Sequence, residues 1–273
     1  MNLHPYRGSS AAIATKHHKE QILARIFAEI GISLVVADFD TDLLGTFTGE
    51  VERVGSPKEV VLQKARKGMK VAGLPYGMAS EGSIGPDPLI PFISSDVECL
   101  AWVDEERGIE IVEFHRSLEI VSVRGEFQSI AQLDEFLTKA DFPNHGLILR
   151  HGDQIIKGIS DPSVLENAIA ELGGKSFTLE SDLRSHFSPS RQKNIQELGK
   201  KLAKRVSTLC PDCETPGWGQ IGNLYGLPCN ECKNIVEGAV RGELMGCAKC
   251  ECREEMIGER VFVEAAECIY CNP

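Results

Sequence analysis

No apolar stretch in this chain approaches the roughly 20 residues that a membrane-spanning helix needs; the strongest run, Ile32–Ala37, has the length of a strand. The chain has no Walker phosphate loop, no Gly-x-Gly-x-x-Gly after a strand and no Gly-x-Ser-x-Gly elbow, so ATPase, dehydrogenase and serine-hydrolase readings lack support. Positive charge is in deficit: 29 Lys and Arg stand against 40 Asp and Glu, a net charge of −11. That balance argues against general polyanion binding, while leaving room for a small anionic ligand held by a few local cations and backbone amides. Residues 1–25 contain Lys16, Lys19 and Arg25 and no signal-peptide apolar core, which predicts a cytoplasmic protein. Cysteine is nearly missing from the body of the chain, where Cys99 reads as a buried apolar residue in a strand.

The other nine of the ten cysteines fall after residue 209, and eight of them form Cys-x-x-Cys knuckles: Cys210/Cys213, Cys229/Cys232, Cys247/Cys250 and Cys268/Cys271. Two intervening residues let one turn point both sulfurs at a single ion, and four thiolates satisfy the tetrahedral preference of zinc. Disulfides would need an oxidising compartment, so two structural zinc ions are expected. Sequential wiring is the simplest arrangement; cross-bracing, first knuckle with third and second with fourth, stays open. Cys252 is a spare thiol or an alternative ligand. A site closed by four cysteines has no place for substrate, so it supplies folding energy, and catalysis must be sought elsewhere. Residues 206–273 hold eleven acidic against five basic residues, 5 − 11 = −6, which argues against nucleic acid. A protein partner or a homo-oligomer stays open.

The length and the 42% hydrophobic content suffice for one sizeable core plus a small appendage. Residues 1–205 alternate strand and helix. Expected strands lie at 11–15, 32–39, 77–80, 118–123, 147–150, 154–159 and 176–179, with a hairpin of 99–104 and 108–114. The expected helices are Glu20–Ile30, one opening at Ser56-Pro57-Lys58-Glu59 with the pattern of a capping box, and Ser190–Leu209. Hairpins and crossovers together predict an α/β fold, a mixed β-sheet flanked by helices, with a small zinc-binding region at 206–273.

Outside the tail, chemistry concentrates in residues 45–88, with Glu50, Glu52, Glu59, Lys64, and Glu81 in a glycine-rich segment. Glu59 and Lys64 stand roughly 140° apart around a helix axis, so they are not a simple surface pair. Solvated helix decoration is the plain alternative. A second constellation is Asp182-Leu183-Arg184-Ser185-His186-Phe187-Ser188-Pro189-Ser190-Arg191, where Arg184 and Arg191 suit phosphate and His186 suits proton exchange. A surface loop ending in a helix cap is the other reading of that segment.

The run Glu52-Arg53-Val54-Gly55-Ser56-Pro57-Lys58-Glu59, followed by Gln63-Lys64-Ala65 and by Met78-Ala79-Ser80-Glu81-Gly82-Ser83-Ile84, resembles the superfamily of inosine and xanthosine triphosphate pyrophosphatases and Maf-like enzymes. The likeness covers roughly residues 10–125. The whole chain also resembles a bacterial family, without an assigned function, that joins an α/β portion to a Cys-rich tail. The superfamily resemblance implies a pyrophosphatase-like fold and a Mg²⁺-dependent hydrolase of a nucleotide or related phosphoanhydride. Glu52, Glu59 and Glu81 would hold Mg²⁺, Lys64 would neutralise charge, Glu81 would bind metal or orient water, and Thr15, Lys16, Lys19, Arg184, His186 and Arg191 would contact phosphate. Those enzymes place Ser/Thr-x-Asn-x-x-Lys at the first strand-to-helix turn. This chain departs from that with His17 at the Asn position and Glu20 at the Lys position, leaving Lys19 one residue early. The competing class is a non-catalytic binding or scaffold protein whose tail docks a partner.

Overall fold

A strand, a helix and a second strand open the fold: β1 (Ser10–Ala14), α1 (Lys19–Glu29) and β2 (Ser33–Val36), with β1 and β2 parallel. Leu23, Ile26 and Phe27 recur at helical spacing and are the apolar residues α1 buries. Gly31 follows at φ +81, where a side chain would be strained, and turns the chain back toward β2. The computed structural model describes residues 4–15, 18–39 and 55–273. Those residues fall into two units, one drawn from Tyr6–Val103 with Val112–Ala203, the other from Lys204–Pro273 with Asp104–Ile111 and residues 4–5.

In the larger unit, α2 (Pro57–Ala72) starts at the expected capping box: Ser56 Oγ accepts from Glu59 N at 3.3 Å, and Glu59 Oε2 accepts from Ser56 N at 2.7 Å. β3 (Tyr76–Pro86), β4 (Ser94–Asp104) and β5 (Ile109–Ser117) complete a sheet ordered β2-β1-β3-β4-β5, with β3 parallel to β1. β4 shows why both faces are covered. Its odd positions Cys99, Ala101 and Val103 join Ala12, Ala14, Val61, Ala65 and Met69 in one core. Its even position Trp102 stacks on Phe27, ring centres 5.9 Å apart, and lies against Tyr6 at 5.1 Å.

A second, antiparallel sheet is ordered β6-β9-β7-β8, from β6 (Arg124–Phe127), β7 (Leu147–His151), β8 (Gln154–Ile159) and β9 (Phe177–Ser181), accompanied by α3 (Asp134–Lys139) and α4 (Pro162–Glu171). Leu147, Leu149, Leu165, Ile169, Phe177 and Leu179 share its core. The expected strand at 118–123 is absent; the strand begins at Arg124 instead. Serine hydroxyls replace the ladder there, with Val121 N donating to Ser190 Oγ at 3.2 Å and Val123 N to Ser181 Oγ at 3.0 Å. α5 (Pro189–Ser207) follows. The tail, for which no strands were expected, forms a third antiparallel sheet of β10 (Gly219–Pro228), β11 (Ile235–Gly246) and β12 (Arg253–Ile257). No described helix is long and apolar enough to cross a membrane.

The contact of β3 with α2 depends on Gly77, where an added Cβ would lie 2.7 Å from Met69 Sδ and 2.9 Å from the Ala65 carbonyl oxygen. Gly77→Ala is expected to lower unfolding stability by about 1–3 kcal/mol, as overpacking does. Denaturant titration of the two proteins checks this.

Candidate functional site

The order β2-β1-β3 places a reversal of strand order between β1 and β3, and the chemistry collects at the carboxyl end of β1, where its pairing with β3 stops. Ala14 pairs with Ala79, so Thr15 and Ser80 come next on the neighbouring strands, their hydroxyls 3.3 Å apart. Glu81 follows on β3. It is buried and ion-paired to Lys64 of α2, itself buried. Lys19, in the first turn of α1, is buried too and donates to Glu98 Oε2 at 3.1 Å; Arg191, near the start of α5, donates through Nε to Glu98 Oε1 at 2.6 Å. Glu81 also acts electrostatically on both Lys19 and Arg191, which joins the two pairs into one cluster. Gly82 permits this approach: a Cβ there would lie 2.5 Å from Glu98 Cδ and would also run into Arg191 Nη2.

Burial is the largest influence on Lys19 and, with the nearby Arg191 charge, lowers its pKa from the ordinary lysine value against the pull of Glu98. Burial pushes Glu98 up, yet Lys19 and Arg191 outweigh it and hold the carboxyl below its usual range. Asp96 stands two residues away on the same face of β4 and is fully buried. Its Oδ2 accepts from Asn194 Nδ2 at 2.9 Å, whereas its Oδ1 has no hydrogen-bond partner among the described residues. Burial first and the Glu98 charge second raise its pKa to about 6. Cys99, the next residue after Glu98, is buried in the opposite core, which pushes its thiol up to about 12.

Of the residues singled out from sequence, Lys19, Lys64, Glu81 and Arg191 meet in this cluster, and Thr15 borders it through Ser80. Lys16 and Glu52 lie outside the described residues. Glu59 is exposed, its Oε2 engaged by the Ser56 cap, and is not drawn in. Arg184 pairs with Asp182 (Nη2 to Oδ2, 2.5 Å) and lies over the Phe187 ring, while the His186 ring meets that of His18 edge-on at 5.3 Å. Glu98, Asp96 and Asn194 were not anticipated. The signal was present in β4, where Asp96 and Glu98 occupy the same alternate positions as the core residues Leu100 and Trp102.

The eight knuckle cysteines form two groups, Cys210, Cys213, Cys247 and Cys250, then Cys229, Cys232, Cys268 and Cys271, with the Sγ atoms of each group within 4.8 Å of one another. This is the cross-braced arrangement rather than the simpler sequential one. The ten residues of β10, though bulged, separate the first two knuckles by up to roughly 30 Å at 3.3 Å per residue, too far for them to share an ion. Pairing of β10 with β11 returns the chain to the first knuckle. Sulfur separations across the groups are 3.6 to 3.8 Å. A tetrahedron built on metal–sulfur bonds of about 2.3 Å has edges of about 3.8 Å, so the donors suit a four-thiolate metal site. Amides support them: Lys249 N and Cys250 N point at Cys247 Sγ at 3.3 and 3.4 Å. Cys252 is outside both groups, its carbonyl accepting from Cys247 N.

Asp96 makes the cluster sensitive to pH. A carboxyl raised from 3.8 to about 6 keeps its proton in the folded state after the unfolded chain has lost it. Its stabilising contribution is therefore complete below about pH 4 and lost as pH rises through about 6. Relative to Asp96→Asn, the wild type should lose on the order of 2–3 kcal/mol between pH 4 and pH 7. Denaturation curves of both proteins across that range measure the difference.

Comparison with curated proteins and with solved structures finds no match. A family model described as "Domain of unknown function (DUF6671)" matches residues 64–273, well over half of the chain, a span that includes Lys64, Glu81, Asp96, Glu98, Arg191 and all eight knuckle cysteines. The chain belongs to the DUF6671 family.

Proposed function

We propose that the α/β unit is a Mg²⁺-dependent hydrolase of a nucleotide or related phosphoanhydride, releasing pyrophosphate, and that the cysteine groups hold two structural zinc ions. The observation that carries the first part is the gathering of Glu81, Lys64, Lys19 and Arg191 beyond the carboxyl end of β1, beside the middle of β3. Open sheets bind ligands at such a reversal of strand order, outside the strand ends. Three buried cations there can offset charge developing on a phosphoryl centre, and carboxylate oxygens are the donors Mg²⁺ prefers. By resemblance, Glu81 is the carboxylate assigned to metal or water, with Glu52 as a further ligand; Glu59, the third ligand the resemblance implies, is held in the Ser56 cap. Mg²⁺ would supply charge neutralisation on the phosphates. Thr15, Lys16, Lys19, Arg184, His186 and Arg191 would contact them.

One observation favours the non-catalytic binding reading. Lys19 and Arg191 are already neutralised by Glu98, as in a purely structural charge lock. Activity separates the two. With Mg²⁺ and a panel of standard and deaminated nucleoside triphosphates, pyrophosphate release is expected, and it should fall at least about a hundredfold in Glu81→Gln with circular dichroism and metal content unchanged. A wild type that releases nothing above buffer, or a variant as active as wild type, would hand the site to the binding reading.

Zinc follows from the donor set and the sulfur spacing. Purified reduced protein is expected to contain two zinc ions per chain, one for each group of four cysteines. Cys229→Ser should halve that content and Cys252→Ser should leave it intact. Elemental analysis finding no zinc in unchelated protein removes this assignment.

A further inference from the structure

The tail sheet is ordered β10-β11-β12, so β12 is an edge strand, and all five of its residues are exposed. An edge presents unpaired backbone donors and acceptors, a template for one more strand. Beside it, Val240, Met256, Ile257, Glu243, Glu259 and Arg260 line a cavity of about 360 Å³. Gly242 lies directly opposite Ile257 and is covered by the β12 backbone, a Cβ there falling 2.3 Å from the Met256 carbonyl oxygen, whereas Val240 and Ile257 are 44% and 63% exposed.

Charge narrows the occupant. Arg241 is paired with Glu255 and Arg260 with Glu267, while Glu243, Glu254 and Glu259, against the single cation Arg253, form no ion pair with a described residue. The unneutralised charge around the groove is therefore acidic, which repels a phosphate backbone. It also disfavours a second copy. A two-fold antiparallel pairing centred on β12 would set Glu255 against Glu255, and like charges directly opposite are destabilising. We propose that the outer edge of β12 and the adjoining groove accept, as an added β-strand, an extended basic segment of another protein in which Lys or Arg alternates with apolar residues. Main-chain hydrogen bonds would supply affinity, Ile257 would take the apolar side chains on one face of the sheet, and Glu243 and Glu254 on the opposite face, with Glu259 beyond the strand, would meet the cations. This inference is independent of the hydrolase reading.

The test uses the full chain and short synthetic peptides, followed by amide chemical shifts. A peptide alternating Lys with Val should shift resonances of β11 and β12. A peptide of identical composition with its Lys and Val in separate blocks should bind at least about tenfold more weakly, which isolates strand pattern from net charge. A Glu–Val alternating peptide should not bind. The exposed double substitution Glu243→Lys with Glu259→Lys should weaken the Lys–Val peptide by a similar factor while leaving circular dichroism and metal content unchanged. Absence of binding, equal binding of the blocked peptide, indifference to the double substitution, or shifts elsewhere would overturn the proposal. So would concentration-dependent dimerisation that moves the β12 resonances without peptide, which would make a second copy the occupant.

Discussion

Glu98 cannot be buried alone. An ionised carboxylate in the interior costs several kcal/mol unless cations and hydrogen bonds meet it, and stripping one partner from such a pair costs about 3–5 kcal/mol. The fold answers by aiming the first turns of two helices at one strand. Lys19 opens α1 and reaches Oε2; Arg191 stands near the start of α5 and reaches Oε1. Both helices are thereby pinned at their starts to the same face of β4 that carries Trp102 onto Phe27 and Tyr6 farther along. One row of alternate side chains thus provides a charge lock and an aromatic core in series. The lock needs the missing side chain of Gly82, because a Cβ would occupy the space of the ion pair.

The lock also sets the electrostatics of the crevice. Lys19, Lys64 and Arg191 face Glu81, Glu98 and Asp96, and burial raises the Asp96 pKa to about 6. When Asp96 is protonated the six groups carry a net positive charge, and when it ionises they balance. An anion arriving beyond the carboxyl end of β1 therefore meets a stronger field on the acid side of pH 6, although the whole chain is acidic. Local arrangement outweighs overall charge here because the cations are buried, where screening is weak.

What could be read in the sequence was local. The Ser56–Glu59 cap spans three residues, the Cys-x-x-Cys turns span as many, and the apolar spacing of α1 repeats every turn. Lys19, Lys64, Glu81 and Arg191 could be picked out by resemblance. Their partners could not: Glu98 lies 79 residues from Lys19 and 93 from Arg191, and Asp96 lies 98 from Asn194, distances over which no periodicity speaks. The mistaken strand at 118–123 has the same origin. Its apolar run fits a strand, but two serines from distant elements take its backbone donors. Wiring of the cysteines was equally hidden, since four knuckles admit three pairings; the length of β10 excludes the sequential one, and the return of β11 brings the third knuckle to the first.

That length also explains how so small a sheet holds together. Its own buried cluster is little more than Leu227, Cys229, Val236, Val263 and Cys268, too few apolar groups to offset the entropy of ordering the segment. The cysteine groups lie at opposite ends of the β10–β11 hairpin, one bringing Cys213 beside Cys247 and the other Cys232 beside Cys268, so a metal bound in each, as proposed, would close a loop of more than thirty residues. Between those ends the sheet is held by its ladder hydrogen bonds, with the Arg241–Glu255 pair across β11 and β12. There Val240 and Ile257 are exposed and β12 is an edge strand. A sheet clipped at its ends can leave this surface uncovered without unravelling, which a sheet depending on its own core could not do.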